Sequence, residues 1–220
     1  LICTGRKVKK GQEGIPLDIR NQVTLKELIN TTAPDILINL AAMTNVDACE
    51  LNPKLAGEIN VAGLQHICDS FEGKIIHLST DYVFDGTSGP YKEDDPLNPI
   101  SIYGKTKLAS EHILLEKDNK NLVIRGNVLY DYSPHTSASF LNWVVSSLKG
   151  NQEIKVVEDQ FNNPTWTRSM SDIIELSIEN DLEGIIHWGD SEHISRFEFA
   201  KLIAKKFSLN GSLIKPVLTS

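Results

Sequence analysis

Short apolar runs alternate along the chain with longer stretches whose apolar residues recur every three or four positions. The runs at 1–4, 36–40, 74–78, 121–125 and 184–188 have the length of strands. Between them, 22–31, 53–70, 101–117, 139–149 and 169–180 carry the helical period. Leu25, Leu28 and Ile29 show that period plainly, and Asn52 before Pro53 forms a good helix start. Short strands apolar on both faces, separated by helices, predict a parallel sheet covered on both sides. The expected fold class is therefore α/β, a doubly wound, Rossmann-like sheet. In such sheets ligands bind beyond the carboxyl ends of the strands, so the residues just after each strand deserve the closest reading. The segment 85–99 is rich in Gly, Pro, Asp and Asn, too polar to be buried and long enough to cover a site.

Composition narrows the function classes. The 220 residues are 40% hydrophobic and 23% charged, with a net charge of -7, which fits a soluble globular chain and disfavours nucleic acid as the main partner. The basic cluster from Arg6 to Lys10 is short and reads as a solvated loop. Cys3, Cys49 and Cys68 are odd in number, with no CxxC, and the six histidines show no ligand spacing. A reduced, cytoplasmic chain without a metal site is expected. No apolar run is long enough for a helical membrane span.

Three strand ends carry candidate chemistry. HLSTDYVFDG, 77–86, puts Ser79, Thr80, Asp81 and Tyr82 at the edge of the third strand. A hydroxyl there can hold a ligand oxygen, or simply cap a polar strand end. NLAAMTNVD, 39–47, places Leu40, Ala41 and Ala42 after the second strand. Small side chains let a flat cofactor approach the backbone, and they equally serve tight helix–strand packing. Asn60, inside a helical pattern, either braces a neighbouring loop or is exposed. After the first run comes TGRK. If residues 1–4 form the second strand of a dinucleotide fold, Arg6 suits the 2′-phosphate of NADP, and Asp18 and Ile19 lie where the chain touches adenine.

The hexapeptide IYGKTK, 102–107, sets Tyr103 and Lys107 one helical turn apart. A lysine ammonium close to a phenol is expected to lower the tyrosine pKa toward neutrality, making Tyr103 a proton carrier. The bland alternative is a tyrosine packed on an ordinary helix. Thr80, Tyr103 and Lys107 together form a hydroxyl, phenol and ammonium set at one mouth of the sheet.

LAAMTNVDACE, EINVAG, HLSTDYVFDGTSGPYKEDDPLNPISIYGKTKLASE and EDQFNNPTW, in this order, resemble the extended short-chain dehydrogenase/reductase superfamily, and within it the dTDP-4-dehydrorhamnose reductase family. The resemblance runs from Leu1 to about Val217. It implies reduction of the C4 keto group of a nucleotide-linked keto-sugar by NADPH, with NADH as the other candidate. It implies that Tyr103 protonates the oxygen, Lys107 tunes Tyr103 and holds the nicotinamide ribose, and Thr80 bonds the reacting oxygen. Arg6, Asp18, Ile19, Leu40, Ala41, Ala42, Asn60 and Ser79 fall on the cofactor side. Asp81, Tyr82, Gln160 and Thr165 fall on the substrate side, the last two in a DQ…PT motif. It implies a dinucleotide-binding domain over 1–128 and a substrate lobe over 129–220, with 168–187 returning to the main sheet. His187 and Trp188 read as structural, and Phe197, Phe199, Leu202, Ile203 and Phe207 as the buried face of a last helix.

The glycine-rich fingerprint is not in the sequence, since TGRKVKKG breaks the pattern at Val8. A first βα unit is expected ahead of Leu1, and the family pattern continues past Val217. Val128 stands where rhamnose-pathway reductases often carry tryptophan. Two other readings follow. One is an NADP-binding regulatory subunit resembling the methionine adenosyltransferase β subunit, whose partner would be the catalytic adenosyltransferase subunit. The other is a nucleotide-sugar epimerase or dehydratase. The sequence is also compatible with a homodimer.

Overall fold

The computed structural model describes residues 1–8, 13–118, 120–133 and 139–219. Lys9, Lys10 and His135 lie outside the described residues. The chain divides into two compact units, one of Leu1–Arg125 with Asp181–His187, the other of Gly126–Asn180 with Trp188–Ser220.

The first unit opens with β1 (Thr4–Gly5) paired in parallel with β2 (Ile15–Pro16), then α1 (Gln22–Thr32) and β3 (Ile36–Asn39). Next come α2 (Val46–Leu51), α3 (Pro53–Ala56), a π-helical stretch (Gly57–Ala62) and α4 (Gly63–Ser70). Then follow β4 (Lys74–Thr80), a 3₁₀ turn (Asp81–Val83), α5 (Ile102–Lys117) and β5 (Leu122–Gly126). Helix starts are built as the residue types dictate: Asn21, Asn45 and Ser101 each accept a backbone N–H of the first turn through their side chains.

Four strands make the main sheet, in the order β10 (Gly184–Trp188), β5, β4, β3. β3 and β4 run parallel, with Ile36 beside Lys74 and Asn39 beside His77. Leu25, Leu64, Ile67, Ile75, Leu114 and Val123 pack between helices and sheet as the core of this unit. Burying an aliphatic side chain of this size contributes about 1.5–3 kcal/mol each.

The second unit adds β6 (Leu129–Tyr130), α6 (Phe140–Lys149), β7 (Ile154–Val157), β8 (Phe161–Asn162), β9 (Thr165–Trp166) and α7 (Thr167–Glu179). It ends with β11 (Ile194–Ser195), α8 (Arg196–Lys206), a 3₁₀ turn (Gly211–Leu213) and β12 (Ile214–Val217). α8 starts with a capping box between Ser195 and Glu198. Its core joins α6, β7, α8 and β12 through Val144, Leu148, Ile154, Phe199, Ile203 and Ile214.

Three expectations need correction. The opening strand is Thr4–Gly5 rather than 1–4, and among the described residues it pairs with β2 and not with the four-stranded sheet, Cys3 O also accepting from Ile15 N at 2.9 Å. The helix expected over 53–70 is not uniform, since its middle widens into a π-helix around Asn60. Leu202, expected on the buried face of α8, is 54% exposed. The buried positions of α8 are Phe199, Ala200, Ile203 and Ala204, an arc that leaves Leu202 outside it.

Candidate active site

The candidate site is built at the carboxyl ends of β3 and β4, under the first turn of α5. Ser101 caps that helix, its hydroxyl accepting from Gly104 N at 3.0 Å. A bare glycine at 104 lets the helix settle against the 3₁₀ turn, because an ideal Cβ there would lie 2.2 Å from Tyr82 O. This close approach brings Tyr103 to the end of β4. The Tyr82 and Tyr103 rings meet edge to face, with centroids 5.6 Å apart.

Thr80 is buried, close enough to Tyr103 to draw the phenol's pKa down. Its Oγ1 donates to Asp81 Oδ1 at 3.1 Å and accepts from Tyr82 N at 3.2 Å. Lys107 is 1% exposed. Its Nζ donates to Leu78 O at 2.7 Å and lies 2.9 Å from His77 Nε2. So the three residues Thr80, Tyr103 and Lys107 do gather at one strand end.

Their electrostatics reverse one expectation. Tyr103 is not acidified; burial pushes its pKa up to about 12, against a smaller opposing pull from Thr80. Lys107 is the group that moves toward neutrality. Burial lowers its pKa to about 7, with Glu111 acting the other way. The sequence expectation took Lys107 for a charged ammonium beside the phenol. Inside the fold, desolvation of the ammonium outweighs any field it would lend the phenol.

Asn60 takes the bracing role. It is buried, its Oδ1 accepts from Met43 N at 2.7 Å, and its Nδ2 donates to Met43 O at 3.2 Å and to Thr106 Oγ1 at 3.0 Å. It thus ties the loop after β3 to α5. In that loop Leu40 is 58% exposed, Ala41 is exposed and Ala42 half-buried, so the strand end presents an open, small-residue surface. Ser79 turns inward, donating its hydroxyl to Glu111 Oε1. Arg6 is exposed. Asp18 forms a two-pronged pair with Arg20, Nη2 at 2.6 Å and Nε at 3.0 Å, which holds its pKa down near about 2. Ile19 packs on Gly63 and accepts from His66 Nδ1 at 3.1 Å through its carbonyl.

Gln160 and Thr165 belong to the second unit. Gln160 is exposed and donates to Thr219 Oγ1 at 3.1 Å. Thr165 is fully buried, and its hydroxyl donates to Asn163 O at 3.0 Å. Of the expected structural pair, His187 meets the Phe84 ring edge to face at 5.6 Å, and Trp188 Nε1 donates to Ser169 Oγ at 3.0 Å.

Sequence reasoning passed over a buried polar set behind the candidate site. Glu111 pairs with Arg125, Nη2 to Oε2 at 2.8 Å, both side chains 1% exposed. Arg125 Nη1 also donates to Glu93 O at 3.2 Å, and Glu93 Oε1 accepts from His187 N at 2.8 Å. These bonds pin the 85–99 loop to the sheet. Asn39, His77 and Ser110 form a second buried group around Lys107. A signal for both existed. His77 and Ser79 stand two apart on a strand, hence on one face, and Lys107, Ser110 and Glu111 share one face of the helix opposite. Among the described residues no cluster of His, Cys, Asp or Glu could hold a metal ion.

Residues 3–220 match the family model described as the RmlD substrate binding domain. The chain belongs to the dTDP-4-dehydrorhamnose reductase family. It is 33% identical over 210 residues to the dTDP-4-dehydrorhamnose reductase of Sinorhizobium fredii, covering 90% of this chain and 70% of that one. It is 30% identical over 210 residues to methionine adenosyltransferase 2 subunit beta of Xenopus tropicalis, covering 91% of this chain and 63% of the subunit. The crystal structure of dTDP-4-dehydrorhamnose reductase from Bacillus anthracis in complex with NADP superimposes with a TM-score of 0.87, at 30% identity, over 99% of this chain and 83% of that one. The fold is thus the α/β fold of this family of oxidoreductases. No helix among the described residues is long and apolar enough to cross a membrane.

Proposed function

We propose that the protein reduces the C4 keto group of a nucleotide-linked sugar, dTDP-4-dehydrorhamnose, to the alcohol, with NADPH as reductant. The observation that carries this reading is the gathering of Thr80, Tyr103 and Lys107 at the end of β4, with Lys107 buried one turn along α5 from Tyr103. Reducing a ketone creates an alkoxide, which needs a proton donor at the oxygen and a hydrogen bond to hold that oxygen. A phenol with its pKa near about 12 keeps its proton at working pH and can give it to so strong a base. Thr80 would hold the same oxygen.

The strand ends fit a dinucleotide. Ala41 and Ala42 leave the end of β3 uncrowded, and Asn60 fixes the backbone of that loop. NADPH, when bound, supplies the hydride. Leu40, Ala41 and Ala42 would line its place with Asn60 holding their loop from behind, and Lys107 would reach its ribose hydroxyls; Ser79, expected on this side, is instead turned inward to Glu111. Arg6, with Asp18 and Ile19, would serve its adenosine end, Arg6 meeting the 2′-phosphate. Asp81 and Tyr82 would meet the sugar; of the DQ…PT motif, exposed Gln160 remains a candidate for the substrate, while Thr165 is fully buried with its hydroxyl given to Asn163 O. The free thiols of Cys3, Cys49 and Cys68 suit a reducing, cytoplasmic setting.

The test is NADPH oxidation followed with and without dTDP-4-dehydrorhamnose. Sugar-dependent oxidation is expected, and Tyr103→Phe should fold, retain NADPH and lose at least about 100-fold in turnover. Near-normal turnover in Tyr103→Phe would remove the acid role. A second reading, an NADP-binding regulatory subunit, draws on the 30% identity to the Xenopus subunit. It predicts NADPH binding without turnover and copurification with a methionine adenosyltransferase catalytic subunit.

A further inference from the structure

The first turn of α5 leaves backbone N–H groups that the helix itself cannot satisfy. The two that flank Tyr103 are both held by side chains. Gly104 N donates to Ser101 Oγ at 3.0 Å, an ordinary cap from the residue that starts the helix. Ile102 N donates to Glu50 Oε1 at 2.6 Å, and Glu50 belongs to a different helix, α2. A carboxylate in that place makes a charge-assisted bond and meets the positive end of the helix dipole. Glu50 is exposed and has water as an alternative partner, so the bond adds little to global stability. Its effect is local, on the residue before Tyr103.

α2 is itself fixed to the loop after β3. Asn45 caps it, accepting from Ala48 N at 2.8 Å. Cys49 is fully buried, and its Sγ donates to Met43 O at 3.5 Å. The same thiol lies near enough to Tyr103 to disfavour the phenolate. Adjacent residues of α2 thus meet adjacent residues of α5, Cys49 beside Tyr103 and Glu50 at Ile102. Met43 is also the backbone that Asn60 grips, and Asn60 reaches Thr106, three residues after Tyr103. Tyr103 therefore sits between two ties, at Ile102 and at Thr106. Both lead back to Met43, beside the open strand end at Leu40, Ala41 and Ala42.

We propose that Glu50 is a positioning residue for the reduction: through Ile102 N it sets the first turn of α5, and with it the Tyr103 phenol, against the end of β4. The proposal rests on the ketoreductase reading for its consequence in turnover, and on the geometry alone for its effect on Tyr103. Without the carboxylate, Ile102 N turns to water and the helix start is free to fray at the residue next to the proton donor. A small misplacement of a reacting group costs rate far more than it costs binding.

The experiment uses the full chain with ¹³C-labelled tyrosine rings, the Tyr103 signal being identified by its loss in Tyr103→Phe. The Tyr82 ring, edge to face with Tyr103 at 5.6 Å, imposes a ring-current shift that reports where the first turn sits. Glu50→Ala is expected to shift or broaden that signal, with the melting temperature falling by no more than about 4 °C. Glu50→Gln keeps an acceptor oxygen at the same reach and should leave the signal in place. With NADPH and dTDP-4-dehydrorhamnose, Glu50→Ala should lose about tenfold in kcat while both KM values stay within about twofold. Glu50→Gln should regain most of that loss. An unmoved Tyr103 signal in Glu50→Ala, an unchanged kcat in that variant, or a Glu50→Gln protein that behaves like Glu50→Ala overturns the proposal. A merely structural role would lower the melting temperature and leave the signal and kcat of the folded protein as they were. Absence of turnover in the wild type would defeat the reductase reading, while the Tyr103 signal still decides the role of Glu50.

Discussion

Lys107 is a long cationic side chain that the fold buries almost completely, and this has a thermodynamic sign. Its pKa falls from 10.5 to about 7 on folding, with desolvation as the main cause. Between those two values the unfolded chain holds a proton that the folded chain has released. Stability therefore rises with pH through that window, by a few kcal/mol in principle, and is flat above it. Lys107→Met keeps the stem and drops the amine. Relative to wild type, its melting temperature should gain most at pH 6–7, and the gain should shrink toward pH 10, with turnover lost throughout. Melting curves of both proteins across that range decide the matter; a difference constant in pH would mean that the folded protein keeps the Lys107 proton. The sequence made the pairing of Tyr103 with Lys107 visible, because one helical turn is a matter of counting. It could not show which of the two would titrate. That depends on burial, and on His77 and Leu78 O sitting within 3 Å of Nζ.

At the level of elements, the site depends on how closely α5 and the turn after β4 approach. Gly104 is where they meet. An alanine there would favour the helix by about 1 kcal/mol on propensity. Its Cβ would fall 2.2 Å from Tyr82 O and 3.1 Å from Pro99 Cβ, and a backbone oxygen cannot swing aside. Gly104→Ala should cost about 1–3 kcal/mol net, displace the turn that carries Thr80 and Tyr82, and lower turnover in the folded protein. Gly63 supplies the control. Its added Cβ would meet Ile19 Cδ1 at 2.5 Å, the free end of a side chain that can change rotamer. Gly63→Ala should fold with less than about half that loss. Urea midpoints of the two variants test the contrast, and equal losses would refute it. The helix and strand of this site were legible from the apolar run of β4 and the tyrosine–lysine spacing on α5. The π-helix around Asn60 was not. Widening one turn by a residue leaves the apolar spacing almost intact, and only the buried Asn60 amide with its three bonds marks it. The bounds of β1 and its partner β2 were not legible, because a two-residue strand is too short for any period to show.

Across the molecule, alternating strands and helices made the α/β class readable, and the four-stranded sheet with its covering helices agrees with it. What the pattern of apolar residues could not reveal is the ion pair that ties the first unit together. Charged residues read as surface by default. Glu111 and Arg125 are both 1% exposed, and their contacts run from β4 through α5 and β5 to the 85–99 loop. Arg125 also lies over the Phe84 ring, 5.3 Å from its centroid. A buried pair of this kind is costly to break and far less costly to replace. Removing one partner leaves an uncompensated charge in the interior, worth about 3–5 kcal/mol, whereas replacing both with apolar residues of similar volume is often neutral. Arg125→Met should thus destabilise the protein by about 3–5 kcal/mol, because Glu111 and the Ser79 hydroxyl remain without their cation. The double variant Glu111→Leu/Arg125→Met should recover most of that loss in guanidinium unfolding. Recovery will stop short of wild type, since the bond from Arg125 to Glu93 O is gone in both and the loop is then held through Glu93 and His187 N alone at that point. If the double variant is as unstable as the single one, the pair's worth lies in anchoring the loop rather than in matching charges, and limited proteolysis within 85–99 should then rise equally in both.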